Sequence, residues 1–238
     1  MEIEYLTNDT CHTAEGLVVV IDVLRAFSNA AYAFSMGAEN ITLVSTVEEA
    51  FELKAKNPNA LLIGEVHGLK PDGFDFGNSP TETARHDLKG RHLIQRTSAG
   101  TQGVVRSSKA ETLFAASFVV AEATVRAIQA LEPAKVSFVI TGRYFDGEDK
   151  ACGEYIEARL RGQTPEPKPY LDRVRNAAEL RHMPPDRFPH VASDLDYCTH
   201  LDAFTFAMPI TSENGRHVMR AVIPAPKNSG QRQRVTRF

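Results

Sequence analysis

The chain has 238 residues, 42% of them hydrophobic, which is enough apolar material for one large domain or two smaller lobes. A net charge of −3, an acidic N-terminus and the short apolar run Leu17–Ile21 argue against nucleic-acid binding, a secretory signal and a membrane span. Three scattered cysteines do not predict a disulfide framework, which fits a reducing compartment. Together these features predict a cytoplasmic protein that binds neither nucleic acid nor a membrane.

Short apolar segments alternate with helical segments along most of the chain. The predicted strands are Leu17–Ile21, Ile41–Val44, Ala60–Ile63, His92–Arg96 and Lys135–Ile140. The predicted helices are Ala26–Met36, a helix from Thr46 to Asn57, Ser108–Ala116, Ala121–Leu131, Glu148–Leu160 and a short helix around Leu171–Leu180. Continuous β-branched strands alternating with helices are typical of a sheet covered on both faces. The pattern predicts an α/β fold with a parallel or mixed sheet and flanking helices.

Composition also divides the chain. Residues 1–223 are predicted to form the folded domain, with lobes at about 1–110 and 111–223 as a further option. The proline-rich segment 162–190 is predicted to cross the surface, either as a lid or as a connector without a role. Residues 224–238 carry basic residues and no acid, which is more typical of a solvated end than of a nucleic-acid contact.

Polar residues follow the predicted strands. Ligands of open α/β sheets bind at the carboxyl ends of strands, so these residues are the candidates for a site. They are Asp22, Arg25, Glu65, Asp75, Asn78, Ser79, Thr97, Ser98, Gly100, Thr101, Arg143, Asp146, Glu148 and Asp149. Carboxylates suit Mg²⁺, whereas arginines, hydroxyls and backbone N–H groups suit phosphate or sulfonate oxygens. The set predicts metal-assisted phosphoryl chemistry, although any single carboxylate could instead cap a helix.

Other chemistries fit less well. The histidines lack zinc-ligand spacing, and the chain has no dinucleotide loop, P-loop or serine nucleophile elbow. An aspartyl nucleophile at Asp22 would need a second aspartate two residues later, where the chain has Leu24. Cys152 is a weak nucleophile candidate, because a cysteine on a helix is usually a small buried apolar residue.

Several motifs resemble one known family. The loop Gly73–Pro80 holds two glycines, an aspartate, an asparagine, a serine and a proline, and is therefore a shaped loop. This loop, Asp22–Ala26 and the Glu-Asp-x-x-Cys motif at Glu148–Cys152 resemble signatures of the 2-phosphosulfolactate phosphatases, the ComB-like family. Further similar positions are Gly64–Glu65, Thr97–Thr101, Ala116–Phe118, Asp194–Cys198, Asp202 and Pro209. The resemblance runs from about residue 16 to residue 210.

The resemblance implies a ComB-like α/β fold and a Mg²⁺-dependent phosphatase. The family reaction converts 2-phospho-3-sulfolactate to 3-sulfolactate and phosphate, a step toward coenzyme M. By position, the implied metal ligands are Asp22, Glu65, Asp75, Glu148 and Asp149, and the implied catalytic residues are Asp22, Arg25, Glu148 and Asp149. The residues expected to hold the oxyanions of a small phosphate ester are Arg25, Asn78, Ser79, Thr97, Gly100, Thr101 and Arg143.

The sequence departs from the family pattern at four positions. Val66 replaces an arginine and Ala99 an asparagine, so two polar groups are missing from expected ligand loops. Phe27 and Gly153 are the other departures. These departures therefore leave two candidates for the substrate, 2-phospho-3-sulfolactate and another phosphorylated 2-hydroxy acid. The alternative hypothesis is a non-catalytic protein that binds an anionic metabolite on the same fold, and a homo-oligomer is compatible with either.

Overall fold

The computed structural model describes residues 1–142, 145–177 and 188–225. The strands are β1 (Glu2–Thr7), β2 (Gly16–Ile21), β3 (Asn40–Val44), β4 (Leu61–Gly64), β5 (His92–Arg96), β6 (Ala110–Ala116), β7 (Lys135–Ile140), β8 (Met208–Glu213) and β9 (Arg216–Met219). The α-helices are α1 (Ala26–Ser35), α2 (Val47–Lys56), α3 (Pro80–Thr83), α4 (Gly100–Arg106), α5 (Ala121–Leu131), α6 (Glu148–Leu160), α7 (Lys168–Arg175) and α8 (Val191–Cys198). Short 3₁₀ helices span Cys11–Thr13 and Phe118–Val120.

All nine described strands belong to one sheet, in the order β1-β7-β2-β6-β8-β9-β3-β5-β4. The strands β1, β7, β2 and β6 pair in parallel, and so do β3, β5 and β4. The hairpin β8–β9 lies between these two groups and pairs antiparallel with both. The predicted α/β fold with a mixed sheet and flanking helices is therefore confirmed.

The two parallel groups run in opposite directions along the sheet, because three successive antiparallel pairings separate them. Neighbouring strands rotate by roughly 20–25° per step, and β2 is six steps from β4, so the twist accumulates to about 120–150°. Helix α1 packs in one core cluster with residues of both groups, including Val20 of β2 and Leu93 of β5. This twist around α1 accounts for how loops from both groups reach one site.

Strand β2 is buried on both faces, as its continuous apolar sequence predicts. Val18 and Val20 belong to the core cluster that contains α1. Val19 and Ile21 belong to the cluster formed with α5 and α6. A strand buried on both faces gives Asp22, the next residue, a rigid and largely dry position.

Local signals predicted several elements well. The bounds predicted for β5, β7, α5 and α6 agree with the structure. The predicted N-cap of α2 is also present, since Thr46 Oγ1 accepts a 3.1 Å hydrogen bond from Glu49 N. The Glu49 carboxylate accepts from Ser45 N and not from Thr46 N, so the reciprocal half of the capping box is displaced by one residue.

The helix predicted over Ser108–Ala116 is wrong. Residues Ala110–Ala116 form β6, which lies between β2 and β8 in the sheet. Alanine favours helices, but here the buried apolar face and two strand partners override that local preference. The short helix predicted around Leu171–Leu180 is α7, which begins earlier and ends at Arg175, while residues 178–180 lie outside the described ranges.

Six further elements were not predicted: β1, β8, β9, α3, α4 and α8. Strand β1 begins with alternating charged and apolar residues, Glu2-Ile3-Glu4-Tyr5, a pattern typical of an edge strand. It pairs with β7 at one end of the sheet.

No helix among the described residues has the length and apolar character needed to cross a bilayer. The division into lobes stays a prediction, and β1 and β2 both pair with β7, from the second half of the chain. The predicted basic tail, 224–238, falls outside the described residues from 226 onward.

Candidate active site

A cavity of about 500 Å³ opens where several strands end. Asp22 follows β2, Glu65 follows β4, and Thr141 follows β7, so the strand-end rule places them at the same site. The full lining is Asn8, Asp22, Leu24, Arg25, Glu65, His67, Gly68, Asn78, Ser98, Ala99, Thr141, Gly142, Glu148 and Asp149. Four of the five predicted metal ligands, Asp22, Glu65, Glu148 and Asp149, thus surround one cavity.

Asp22 and Asp149 form a buried acidic pair. Asp22 Oδ1 accepts a hydrogen bond from Ala26 N at 2.9 Å, which links it to the first turn of α1. Asp149, on the first turn of α6, accepts from Val23 N at 2.7 Å and from Thr141 Oγ1 at 3.2 Å. Helix α6 is therefore held directly against the backbone that follows Asp22.

Both acids of this pair resist ionisation. Burial, with a contribution from the charge of Glu65, raises the pKa of Asp22 to about 6. Burial also raises the pKa of Asp149 well above its usual value, and the charges of Glu148 and Asp22 add to that effect. Two desolvated carboxylates that repel each other are stabilised by a cation or by a shared proton.

Two glycines, Gly100 and Gly142, lie so close to the carboxylates of the site that a side chain at either position would crowd them. A Cβ on Gly100 would stand 2.7 Å from Asp22 Oδ2, so only glycine fits there. A Cβ on Gly142 would stand 3.2 Å from Asp149 Oδ2 and 3.6 Å from Glu148 Oε1. Gly100, predicted to bind substrate, is the first residue of α4. It packs against the Asp22 side chain.

The Glu65 carboxylate is held by hydrogen bonds from the loops that follow β4 and β5. Its carboxylate accepts hydrogen bonds from Ser98 N, Ser98 Oγ and Gly68 N. Ser98 Oγ in turn accepts from His67 N at 2.9 Å. These bonds join the loops after β4 and β5 into one wall of the cavity.

Arg25 and Asn78 bring hydrogen-bond donors to the cavity. Arg25 Nη1 donates to Asp194 Oδ2 at 2.6 Å, and both side chains are buried. Asn78 Oδ1 accepts from Asn29 Nδ2 at 3.3 Å, an arrangement that leaves the Asn78 NH₂ group as the donor toward the cavity.

The hydroxyl of Ser79 makes hydrogen bonds within the protein and does not line the main cavity. Its hydroxyl donates to Asp194 Oδ1 at 2.7 Å and accepts from Glu82 N at 3.2 Å as the N-cap of α3. It borders a second, smaller cavity of about 180 Å³ beside the first.

Beyond Ser79 and Gly100, which also do not line the main cavity, four predicted site residues are not brought to it or lie outside the described residues. Thr97 and Thr101 are buried and bond each other, through Thr97 N to Thr101 Oγ1 at 2.9 Å and Thr101 N to Thr97 Oγ1 at 3.0 Å. Asp75 pairs with Lys54 Nζ at 2.6 Å, and this pairing lowers the pKa of Asp75 although partial burial opposes it. Arg143 is outside the described residues. The roles assigned to these residues stay predictions.

Among the four departures from the family pattern, Ala99 is the one that lines the cavity. Val66 closes a tight turn with Leu69, Phe27 is fully buried, and a Cβ on Gly153 would stand 3.0 Å from Tyr5 Cε1.

Cys152 is fully buried, and burial raises the pKa of its thiol well above the usual value, which disfavours it further as a nucleophile.

Asn8, Thr141 and Asp194 are among the residues of this region that were not predicted as site residues. Asn8 follows β1, so the strand-end rule would have found it had β1 been predicted. Thr141 follows β7 and was available from the same rule. Asp194 lies on α8, and no local pattern indicates that it reaches Arg25, 169 residues away in sequence.

The acids of the cavity fit a hydrated Mg²⁺. Among the described residues, no group of three or more Asp, Glu, His or Cys side chains is arranged to enclose a metal ion. Mg²⁺, however, usually keeps several waters and takes only one or two carboxylates from the protein. The mutually repelling pair Asp22 and Asp149, with Glu148 beside it at the same cavity, supplies that donor set.

Comparison with known proteins gives one consistent result. The family model described as 2-phosphosulpholactate phosphatase matches residues 4–213. A probable 2-phosphosulfolactate phosphatase of Bacillus subtilis (strain 168) is 32% identical over 86% of this chain and 91% of its own. One from Thermotoga maritima is 32% identical over 82% of this chain and 87% of its own. One from Carboxydothermus hydrogenoformans is 42% identical over 61% of each chain.

Proposed function

The chain belongs to the 2-phosphosulpholactate phosphatase family, and from this we propose that it is a Mg²⁺-dependent phosphatase acting on 2-phospho-3-sulfolactate. The products would be 3-sulfolactate and inorganic phosphate. The observation that carries the proposal is the cavity in which the buried acids Asp22 and Asp149 lie beside the donors Arg25 and Asn78.

Arg25 and Asn78 would bind the anionic groups of the substrate. A guanidinium offers five N–H donors and makes strong charge-assisted bonds to phosphate, sulfonate or carboxylate oxygens. The Asn78 amide adds a neutral donor on the same side of the cavity. Binding at these two side chains would orient the ester so that its phosphorus lies toward the acids.

Asp22 would act as the base that accepts a proton from the attacking water. Its pKa of about 6 makes it mostly ionised at neutral pH yet more basic than an exposed aspartate. Its backbone contact with Ala26 and the packing of Gly100 hold the carboxylate in place. Asp149 would maintain this geometry through its bond to Val23 N.

Glu148 and Asp149 are the residues that would hold Mg²⁺, with Asp22 beside them as the base. When bound, the ion supplies neutralisation of the phosphate charge and lowers the pKa of water. The raised pKa values of Asp22 and Asp149 support this assignment, since a cation would relieve the repulsion that causes part of them.

The test is phosphate release from a panel of esters, with Mg²⁺ and again with EDTA. The panel contains 2-phospho-3-sulfolactate, other phosphorylated 2-hydroxy acids and a phosphate ester that has no second acid. We expect release that requires Mg²⁺ and is fastest with phosphosulfolactate. No release from any ester by folded, metal-supplied protein would overturn the phosphatase proposal. Undiminished release in EDTA would overturn only its metal dependence.

One observation favours a second candidate, a binding protein without catalysis. Ala99 lines the cavity where the family pattern has an amide, so one polar group is absent from the ligand wall. This candidate predicts that an anionic metabolite raises the melting temperature while no phosphate is released. A cytoplasmic location and a homo-oligomer stay predictions.

A further inference from the structure

Arg25 stands between two cavities. It lines the main cavity of about 500 Å³ and also the adjoining cavity of about 180 Å³. Its side chain is nevertheless only 8% exposed. Among the described residues, the guanidinium hydrogen bond is the one from Nη1 to Asp194, whereas an arginine carries five N–H donors. One edge of the group is therefore fixed, and the rest borders the cavities.

Asp194 is a rigid acceptor for that edge. It is fully buried on α8, and Oδ2 accepts from Arg25 at 2.6 Å. Oδ1 accepts from Ser79 Oγ at 2.7 Å and from Thr81 N at 3.1 Å. Both oxygens are thus engaged, and the carboxylate is held by the loop before α3 and by α3 itself.

We propose that Asp194 is a positioning residue for substrate binding, which rests on the phosphatase function proposed above. Asp194 holds Arg25 in the rotamer that presents its remaining N–H donors to the anionic substrate. An arginine side chain loses much rotamer freedom when it is fixed, and fixing it before the substrate arrives removes that cost from binding. A buried ion pair adds little to stability over an apolar pair, so orientation is the better explanation for its presence here.

A purely structural role is the competing explanation, because the same carboxylate also ties α8 to α3. The two explanations differ in what they predict for a folded variant. A structural role lowers the melting temperature and leaves the kinetics of folded protein unchanged. A positioning role raises KM and acts only when Arg25 is present.

The experiment is a double-mutant cycle on kcat/KM with Asp194→Asn, Arg25→Met and the double variant, using phosphosulfolactate. Asp194→Asn keeps the shape and removes the charge. We expect it to lower kcat/KM by about tenfold or more, mainly through KM, as a lost charge-assisted orientation would. In the Arg25→Met background, the same change should have less than about a twofold effect, because coupled residues are not additive.

A matched control removes another acid from an arginine. Glu122→Gln breaks the 2.7 Å pair with Arg159, which is remote from both cavities, and should leave KM unchanged. If Asp194→Asn lowers kcat/KM equally with and without Arg25, the positioning role is overturned.

A second measurement needs neither turnover nor an Asp194 variant. The Nε–H group of Arg25 in ¹⁵N-arginine-labelled wild-type protein, assigned by its loss in Arg25→Met, reports the motion of the side chain. We expect order close to that of the backbone without any ligand. Motion like that of an exposed arginine would overturn the proposal. Absence of phosphate release from wild-type protein would overturn the phosphatase function, whereas a mobile Arg25 would overturn the positioning role by itself.

Discussion

At the scale of single residues, burial and pairing set the pKa of each carboxyl group. Asp22 sits 5% exposed at the end of a strand that is buried on both faces, and this is why its pKa rises to about 6. Asp75 has the opposite environment, since it is paired with Lys54 and its pKa is lowered. Two aspartates that look equivalent in the sequence thus have different chemical properties.

The pair Asp22 and Asp75 gives a direct prediction. Asp22→Asn should lower kcat by about 100-fold or more, since removal of a general base typically costs 10²–10⁴. Asp75→Asn is the matched comparison: its carboxylate does not line the cavity, so we expect kcat to stay within about threefold, and a larger loss would support the metal-ligand role that the resemblance implies for Asp75. Phosphate release measured on both folded variants tests this. Equal losses in the two variants would contradict the placement of the base at Asp22.

Gly100 gives a prediction based on close packing. A Cβ in Gly100→Ala would stand 2.7 Å from Asp22 Oδ2 and 2.9 Å from Ala26 Cβ, so Asp22 must move. We expect kcat to fall by about tenfold or more, since small displacements of catalytic groups are costly. Val105→Ala on the same helix, α4, is the control and should leave kcat nearly unchanged. Unaltered turnover of Gly100→Ala would show that Asp22 tolerates displacement.

At the scale of elements, the hairpin β8–β9 joins the two parallel groups of the sheet. Its turn contains Asn214 and Gly215, which have φ values of 51° and 75°. Left-handed conformations at both positions are typical of a type I′ turn, for which Asn-Gly is a preferred sequence. The stability of this short turn therefore bears on the pairing of β6 with β8 and of β3 with β9.

Substitution at the turn tests that role. Gly215→Val should lower the free energy of unfolding by about 1–2 kcal/mol, because a side chain in the left-handed region is strained. Gly215→Asn is the control and should cost less, since asparagine tolerates that region. Chemical denaturation of both variants measures the difference. If valine and asparagine had the same effect, strain in the turn would not be the cause.

At the scale of the whole molecule, the acidic pair links stability to pH and metal. The folded-state pKa of Asp22 is about 6, against an ordinary value of 3.8, so folding favours its protonated form. Its contribution to stability is therefore present below pH ~4 and is lost as the pH rises through about 6. Asp149, whose pKa is also raised, acts in the same direction.

This linkage predicts a pH-dependent melting temperature for metal-free protein. In EDTA, wild-type protein should lose more stability between pH 4.5 and 7 than Asp22→Asn, which cannot ionise there, with a difference of about 1 kcal/mol or more. Mg²⁺ should restore stability to wild-type protein at pH 7 more than to the variant. Thermal denaturation at the two pH values measures both effects. Parallel pH profiles for the two proteins would contradict the raised pKa.

The sequence by itself determined the elements whose signals are local. The apolar run of β2, the helical segments that became α5 and α6, and the polar residues after β2, β4, β5 and β7 predicted the α/β class and half of the residues that line the cavity. The motifs around Asp22, Gly73–Pro80 and Glu148–Cys152 predicted the family that the comparisons found. These features depend on residues close together in the chain, so they can be predicted without the fold.

Only the tertiary structure decided the rest. It made Ala110–Ala116 a strand, moved Asp75 away from the other acids and brought Asp194 to Arg25. It also turned two oppositely directed groups of strands toward one cavity. Each of these outcomes depends on contacts between residues far apart in sequence and on the accumulated twist of nine strands. Such contacts follow from how the whole chain packs, and no local pattern encodes them.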